Sequence, residues 1–177
     1  SFAPIRDESG GVGGIFHPIT ETTEKMLGAR RTQVLKDLGA SVGKAKTIQE
    51  IGHNAHIQYE AFQFDLPFLL FYKLEAEQAN LINATGLSPD HVMVTDSIDL
   101  KQSKWPLQQV IDTGELVEIN GLQEFYGHIN CGPYEVDPQH AIILPIRISG
   151  QTDLFGFVIA GVSACRALDA AYRHFYD

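Results

Sequence analysis

The sequence predicts an α+β domain built on a mainly antiparallel sheet, and three observations carry that reading. Apolar strand-like runs outnumber the helical segments that would be needed to cross between parallel strands. Two of those runs, 141–148 and 154–162, are joined by the short polar stretch "SGQTD", as a hairpin would be. Composition is that of a folded chain: 44% of the 177 residues are apolar and 20% charged, which excludes a disordered segment and suits one domain of ordinary size.

The elements follow in order. "SFAPIRDESGGVGGIFHPI" reads as a hairpin with one strand ending near Ile5, a turn over "RDESGG" and a second strand over 12–19. Two strands alone are marginal in water, so this hairpin needs neighbours, and the reading expects them upstream of the given sequence. Thr20 is a good N-cap, with Glu21 and Glu24 where the positive end of a helix favours acids. Leu27, Val34, Leu38, Val42 and Ala45 then form a narrow apolar seam, with Arg30, Arg31 and Lys36 on other faces. Such a seam suits pairing with another helix, or packing on the chain's own domain. Gly39 and Gly43 weaken it by about 1 kcal/mol each relative to Ala.

"TIQE" at 47–50 is a capping box that opens a second helix, with Ile48, Ile51, Ala55, Tyr59 and Phe62 on one side. "PFLLFYKLE" (67–75) is apolar and aromatic enough for a strand buried on both faces. "AEQA" turns it into a partner at 80–86, and 87–102 is polar with no strong period. Ser103 caps a helix over "KWPLQQVIDT", where Pro106 is tolerated in the first turn and Gly114 ends it. Leu107, Val110 and Ile111 supply its buried side, and the strand "LVEI" (116–119) follows. Residues 120–140 read as a long Gly/Pro-rich loop dense in aromatics, with His and Cys, of the kind that often carries function. Pro145 removes a ladder donor and is expected at a bulge or on an unpaired flank. A last helix begins at "SACRALDAAYRHFYD", with Leu168, Tyr172 and Phe175 at four and three, and reads as cut short.

Charge narrows the partners. Residues 1–50 carry seven Lys/Arg against six Asp/Glu and residues 51–177 six against sixteen, so all of the net negative charge lies in the second stretch. An acidic body argues against a nucleic-acid surface, which needs clustered cations. The longest uncharged apolar run, 154–165, is shorter than the roughly 18–20 residues that span a bilayer, and no signal-peptide pattern opens the sequence. Two cysteines, Cys131 and Cys165, fit a reducing compartment. The expectation is a cytoplasmic module with no membrane insertion and no nucleic-acid partner.

At this point the chain resembles a GAF domain over about residues 47–177. The resemblance is carried by the strand pair 67–74 and 80–86, the unit "WPLQQVIDTGELVEI", and the closing "AIILPIRI…LFGFVIAGVSACRALDAAYRHF". It implies a central antiparallel sheet with helices on both faces, the first and last helices bundled on one and a pocket under the loops of the other. "GGIFHPITETTEKMLGARR" resembles the last strand of a PAS domain and its exit into a signalling helix. The implied division is a PAS remnant at 1–20, a connecting helix at 21–46 and the GAF domain at 47–177. The arrangement is similar to bacterial sensor histidine kinases, which implies a homodimer with a downstream kinase domain in the same parent chain. Leu27, Val34, Leu38, Val42, Leu168, Tyr172 and Phe175 would then form the dimer and signalling helices.

Chemistry-bearing groups point away from catalysis in this segment. No histidine is followed by the acidic residue of a phosphorylatable box, and "GGVGG" lacks the Lys-Ser/Thr of a phosphate loop. His53, His56 and Glu60 share part of one helix face, but solvated histidines explain them better than a metal, so no metal or cofactor is expected. Cys131 lies near His128 and Tyr134; some GAF proteins reduce free methionine sulfoxide with loop cysteines and others attach a bilin through one. The first pattern needs more suitably placed thiols than Cys131 and Cys165, and the second usually follows its Cys with His where Gly132 stands here. Acidic Glu135 and Asp137 also oppose a thiolate, which favours an inert thiol. The signature of cyclic-nucleotide-binding GAF domains is not assembled by these residues. Trp105, Phe125, Tyr126, His128, Cys131 and Tyr134 are the ligand-pocket candidates, with closure of the core as the alternative role for the aromatics. The sequence thus supports a relay module, a small-molecule-binding variant of it, or a reductase using Cys131.

Overall fold

A computed structural model describes residues 3–16, 48–57, 59–147 and 153–164. The expected helix over 21–46 with its seam Leu27, Val34, Leu38 and Val42, the cap at Thr20, the closing helix with Leu168, Tyr172 and Phe175, and the turn at 149–152 lie outside these residues.

The described residues fall into two units, the first of which is a hairpin. β1 (Ala3–Arg6) pairs antiparallel with β2 (Val12–Phe16), with a register shift at Ile5/Arg6. The turn is built by Asp7, whose Oδ1 accepts from the Ser9 hydroxyl at 2.7 Å and from the backbone N–H groups of Gly11 at 2.8 Å and Ser9 at 2.9 Å. Those donors, the Ser9 hydroxyl first, hold the Asp7 carboxyl below its ordinary value. A short side chain that bonds its own downstream backbone is what makes Asp a turn former.

The second unit opens with α1 (Ile48–Ile57) and α2 (Tyr59–Phe62). β3 (Leu69–Glu75) and β4 (Gln78–Thr85) form a tight hairpin turning at Ala76–Glu77, somewhat earlier than the sequence suggested. A three-residue strand, β5 (Ser97–Asp99), then adds to the outer edge of β4. α3 (Leu107–Thr113) leads to β6 (Val117–Asn120), and α4 (Leu122–Tyr126) follows at once. β7 (His140–Arg147) and β8 (Leu154–Val162) complete a six-stranded sheet in the order β5-β4-β3-β8-β7-β6, antiparallel at every pairing.

The period-2 alternation of the strands sorts the core into two layers. Leu70, Tyr72, Ala141, Ile143, Phe157 and Ile159 point to one face and are buried there under α3, α4 and the loops. Ile142, Ala160 and Val162 point to the other, where Phe62 and Leu66 close over them. Burying each of the Leu, Ile, Val and Phe side chains among them stabilises the fold by about 1.5–3 kcal/mol. Gly161 belongs to the first face: a Cβ there would lie 2.5 Å from the Phe68 ring, so a larger residue would force the strand and ring apart. Pro145 pairs with Phe157 on the β8 side, while β6 ends its pairing at Ile143, so its other flank carries no strand, as expected for proline.

Candidate functional site

The loop face of the sheet holds a cavity of about 280 Å³ at its β5 end. Its apolar wall comes from Met93, Ile98 and Trp105, all buried, with the Tyr126 ring beside them. Thr95, Ser97, Asp99, Ser103 and Lys104 also line it.

Local chemistry puts each wall in place. Ser103 Oγ accepts the Trp105 backbone N–H at 2.9 Å and fixes the approach to α3, but the helix expected from Lys104 with Ser103 as its cap starts only at Leu107 and has no side-chain cap. Pro106 stands at the N-cap position, where its missing N–H removes no helical bond. At the other end Gly114 is left-handed at φ 67°, and its N–H donates to Val110 O at 2.8 Å, closing the helix. Trp105 stacks on Tyr126, with ring centroids 5.0 Å apart at 28°. Lys104 Nζ lies 5.2 Å from the Tyr126 centroid and donates to Phe125 O at 3.0 Å. Behind the wall, the Tyr72 hydroxyl donates to Thr95 O at 3.1 Å and anchors the loop before β5. Burial first, and the neighbouring Tyr72 second, push the Tyr126 hydroxyl up, so it stays protonated.

The second half of the segment after β6 is closed rather than open. Asp137 is buried and gathers three donors: Gln123 Nε2 at 2.8 Å, His128 Nδ1 at 2.5 Å, and the backbone N–H of Ile129. Burial pushes its carboxyl up, but the Ile129 N–H and the His128 and Gln123 side chains outweigh that and hold it below its ordinary value. Cys131 is buried beside it, and burial first, then the charge of Asp137, raise the thiol to about 12. Tyr59, whose hydroxyl donates to Pro67 O at 2.5 Å, is likewise raised to about 12, by burial and then by Cys131. Tyr134 meets Phe64 edge-on at 5.9 Å.

The sequence candidates therefore separate. Trp105 and Tyr126 share the cavity wall. Phe125 is half exposed beside it and contributes its carbonyl to Lys104. His128 points to solvent while holding Asp137, and Cys131 and Tyr134 stand away from the cavity wall. The stretch expected to be one long loop contains α4, bracketed by Gly121 and Gly127, and the stretch 87–102 contains β5. Both are corrections, and β5 supplies wall residues that sequence reading missed. Three residues are too few to show a strand period, so nothing in "SID" stood out. Among the described residues no group of three His, Cys, Asp or Glu is placed to hold a metal ion, and His53 and His56 are exposed. No helix among them is long and apolar enough to cross a membrane.

No protein-family model and no curated protein matches the chain. Solved structures do. The GAF domain of a phosphoenolpyruvate-protein phosphotransferase from Coxiella burnetii superposes with a TM-score of 0.58 at 12% identity, over 84% of this chain and 86% of that one. A putative GAF sensor protein from Burkholderia vietnamiensis gives 0.58 at 11%, over 90% and 85%. The free methionine-R-sulfoxide reductase of Neisseria meningitidis, solved with its substrate, gives 0.57 at 15%, over 90% and 86%. At these identities the likeness establishes the fold. The six-stranded antiparallel sheet and its flanking helices make a GAF-like α+β fold, and the solved proteins that share it include one named as a sensor and one named as a reductase.

Proposed function

We propose that this chain is a sensory GAF module of a signalling protein, in which a small molecule in the Trp105–Tyr126 cavity is the signal. The observation that carries the reading is the contrast in the loop face: an aromatic cavity with polar and charged groups on its wall, beside a thiol that is sealed and held protonated. A concave apolar wall with a few convergent polar groups is what small-ligand recognition needs. A nucleophilic thiol needs exposure and cationic help, and Cys131 has a buried acid beside it instead.

The flanking segments extend the proposal on the strength of their sequence resemblance. Residues 1–20 would be the end of a PAS module and 21–46 a signalling helix leading into the GAF domain, with a histidine-kinase output domain in the parent chain. Leu27, Val34, Leu38 and Val42 would pair across a homodimer, so that ligand occupancy changes helix register or rotation.

Trp105 is the sole tryptophan, so intrinsic fluorescence reports on the cavity directly. Titration with a panel of small metabolites is expected to yield at least one saturable change in emission that is confirmed by calorimetry. A panel that leaves emission flat would overturn the ligand reading. Methionine-sulfoxide turnover that vanishes in Cys131→Ala would overturn the non-catalytic one. Light scattering is expected to show a dimer that Leu38→Glu disrupts.

A further inference from the structure

We infer that the Tyr59 hydroxyl is the point of coupling between the cavity and the helices α1 and α2. As a signalling device this rests on the cavity being a ligand site; the coupling itself does not. Four segments meet at that hydroxyl. Tyr59 lies on α2 and donates to Pro67 O, at 2.5 Å, on the approach to β3. The same oxygen accepts the backbone N–H of Gly132, in the segment after α4. Gly86, next after β4, packs on these atoms: a Cβ there would lie 2.2 Å from Pro67 O and 2.6 Å from the Tyr59 hydroxyl. A Cβ at Gly132 would lie 2.9 Å from Pro67 Cβ. Both glycines have positive φ, 85° and 71°, so neither approach admits a side chain.

Two of the segments tied here furnish cavity wall. From Gly86 the chain passes through tight turns, with His91 N–H on Ser88 O at 2.9 Å and Val94 N–H on His91 O at 2.8 Å. Those turns carry the lining residues Val92, Met93 and Thr95. From Gly132 the chain runs back past Ile129, whose N–H bonds Asp137, to α4 and Tyr126 on the wall. Gln123 of α4 bonds Asp137 at 2.8 Å, so this route is braced rather than slack. A packed interior transmits displacement instead of absorbing it. A wall that spreads or closes therefore moves Gly86 and Gly132 against Pro67, and the Tyr59 hydroxyl passes that movement to α2. Tyr59 itself is not a lining residue, so its influence on the cavity runs only through this junction. Such coupling is reciprocal.

The test removes the hydroxyl alone. Tyr59→Phe keeps the ring, which meets Phe62 edge-on at 5.5 Å. Phe62→Leu is the comparison, a loss of packing in the same helix that leaves the junction intact. In the full chain, Tyr59→Phe is expected to raise acrylamide quenching of Trp105 about twofold and to speed amide exchange at 88–95 and 127–132 by about threefold to tenfold, the size of a lost hydrogen bond. Phe62→Leu is expected to leave the quenching unchanged. Gly132→Ala, which strains the junction with the hydroxyl in place, is expected to raise it. In the other direction, Tyr126→Leu is expected to change exchange in α1 and α2 by about fivefold, and only when the Tyr59 hydroxyl is present. Quenching that ignores Gly132→Ala, or responds alike to Tyr59→Phe and Phe62→Leu, would overturn the inference. So would helix exchange that ignores Tyr126→Leu, or follows it equally in the Tyr59→Phe background. Flat metabolite titrations of the parent would overturn the ligand site and leave the coupling standing. A metabolite that saturates Trp105 emission with no change in α1 and α2 exchange would do the reverse.

Discussion

In its first half the segment 121–139 directs Tyr126 onto a cavity wall and leaves Phe125 half exposed; in its second half it buries Ile129, Cys131 and Asp137. As sequence the two halves both mix apolar, aromatic and polar residues, the aromatics being Phe125 and Tyr126 in the first and Tyr134 in the second. They differ in what completes them. The first half is completed by a ring stack and a lysine that keeps donors to spare, so there is room for another molecule. The second is completed by a buried carboxylate that takes donors from α4, from His128 and from the backbone, so the chain itself closes the space. A Gly/Pro-rich loop with aromatics and a cysteine is thus no uniform signal of function: the distribution of satisfied polar groups decides which part can accept a ligand.

The sharpest way to break this comparison is truncation on either side. Ile129 is fully buried, at 0% exposure, and Phe125 is at 50%. Ile129→Ala is expected to destabilise the domain by about 2–5 kcal/mol in urea denaturation, and Phe125→Ala by no more than about 0.5–1 kcal/mol. Equal losses would mean that the two halves are packed alike.

Thiol chemistry tests the closed half independently. In a Cys165→Ser background, raising Cys131 from 9.0 to about 12 lowers its thiolate fraction at pH 8 by about three decades. The greater intrinsic nucleophilicity of a high-pKa thiolate recovers about one of them. Alkylation in the native state is therefore expected to run roughly a hundredfold slower than in denaturant, and a native rate within a few-fold of the unfolded one would show the thiol to be accessible. Because the folded value lies above the unfolded one, this group's stabilising contribution is complete below about pH 9 and is lost as pH rises toward 12. Cys131→Ala should flatten that alkaline limb.

Asp137 gives the next effect in size. Asp137→Ala leaves the buried Ile129 N–H without its acceptor, and about 1–3 kcal/mol is expected. The sign with pH is opposite to that of the thiol. A carboxyl held below its ordinary value contributes stability above the unfolded range, and that contribution is lost as pH falls through the folded value. Denaturation midpoints of the parent should thus fall more steeply between about pH 5 and pH 3 than those of Asp137→Asn.

Much of the sheet was readable because its strands bury both faces or end at distinctive breaks. The apolar runs of β7 and β8 and the helix stop at Gly114 are local signals, and each acts locally in the structure. Ser103, read as a helix cap, instead holds the Trp105 N–H ahead of an N-cap at Pro106. Trp105 and Tyr126, named as pocket candidates because small-ligand sites need apolar walls, both line the cavity. What sequence could not show is pairing between distant segments. β5 is a strand only because the β4 edge receives Ser97–Asp99, and Ile98 and Trp105 share one cavity wall only because that edge and the approach to α3 converge. Asp137 was read as a charge hostile to a thiolate; its larger role, tying Gln123, His128 and Ile129 together, needs α4, a helix hidden inside an apparent loop.

The smallest effect asks whether the open half is held by a ring or by a hydroxyl. The Trp105–Tyr126 stack and the lysine over it both use the aromatic face, which phenylalanine retains. Tyr126→Phe is therefore expected to change stability by less than about 0.5 kcal/mol and to leave Trp105 emission in place, whereas Tyr126→Leu removes the stack and should cost a further ~0.5–1.5 kcal/mol with a shift in emission. If the two variants proved equally damaging, the hydroxyl would be the anchor. The cavity wall would then be fastened by a buried polar group, as the Asp137 half is, and the contrast between an open and a self-completed half would disappear.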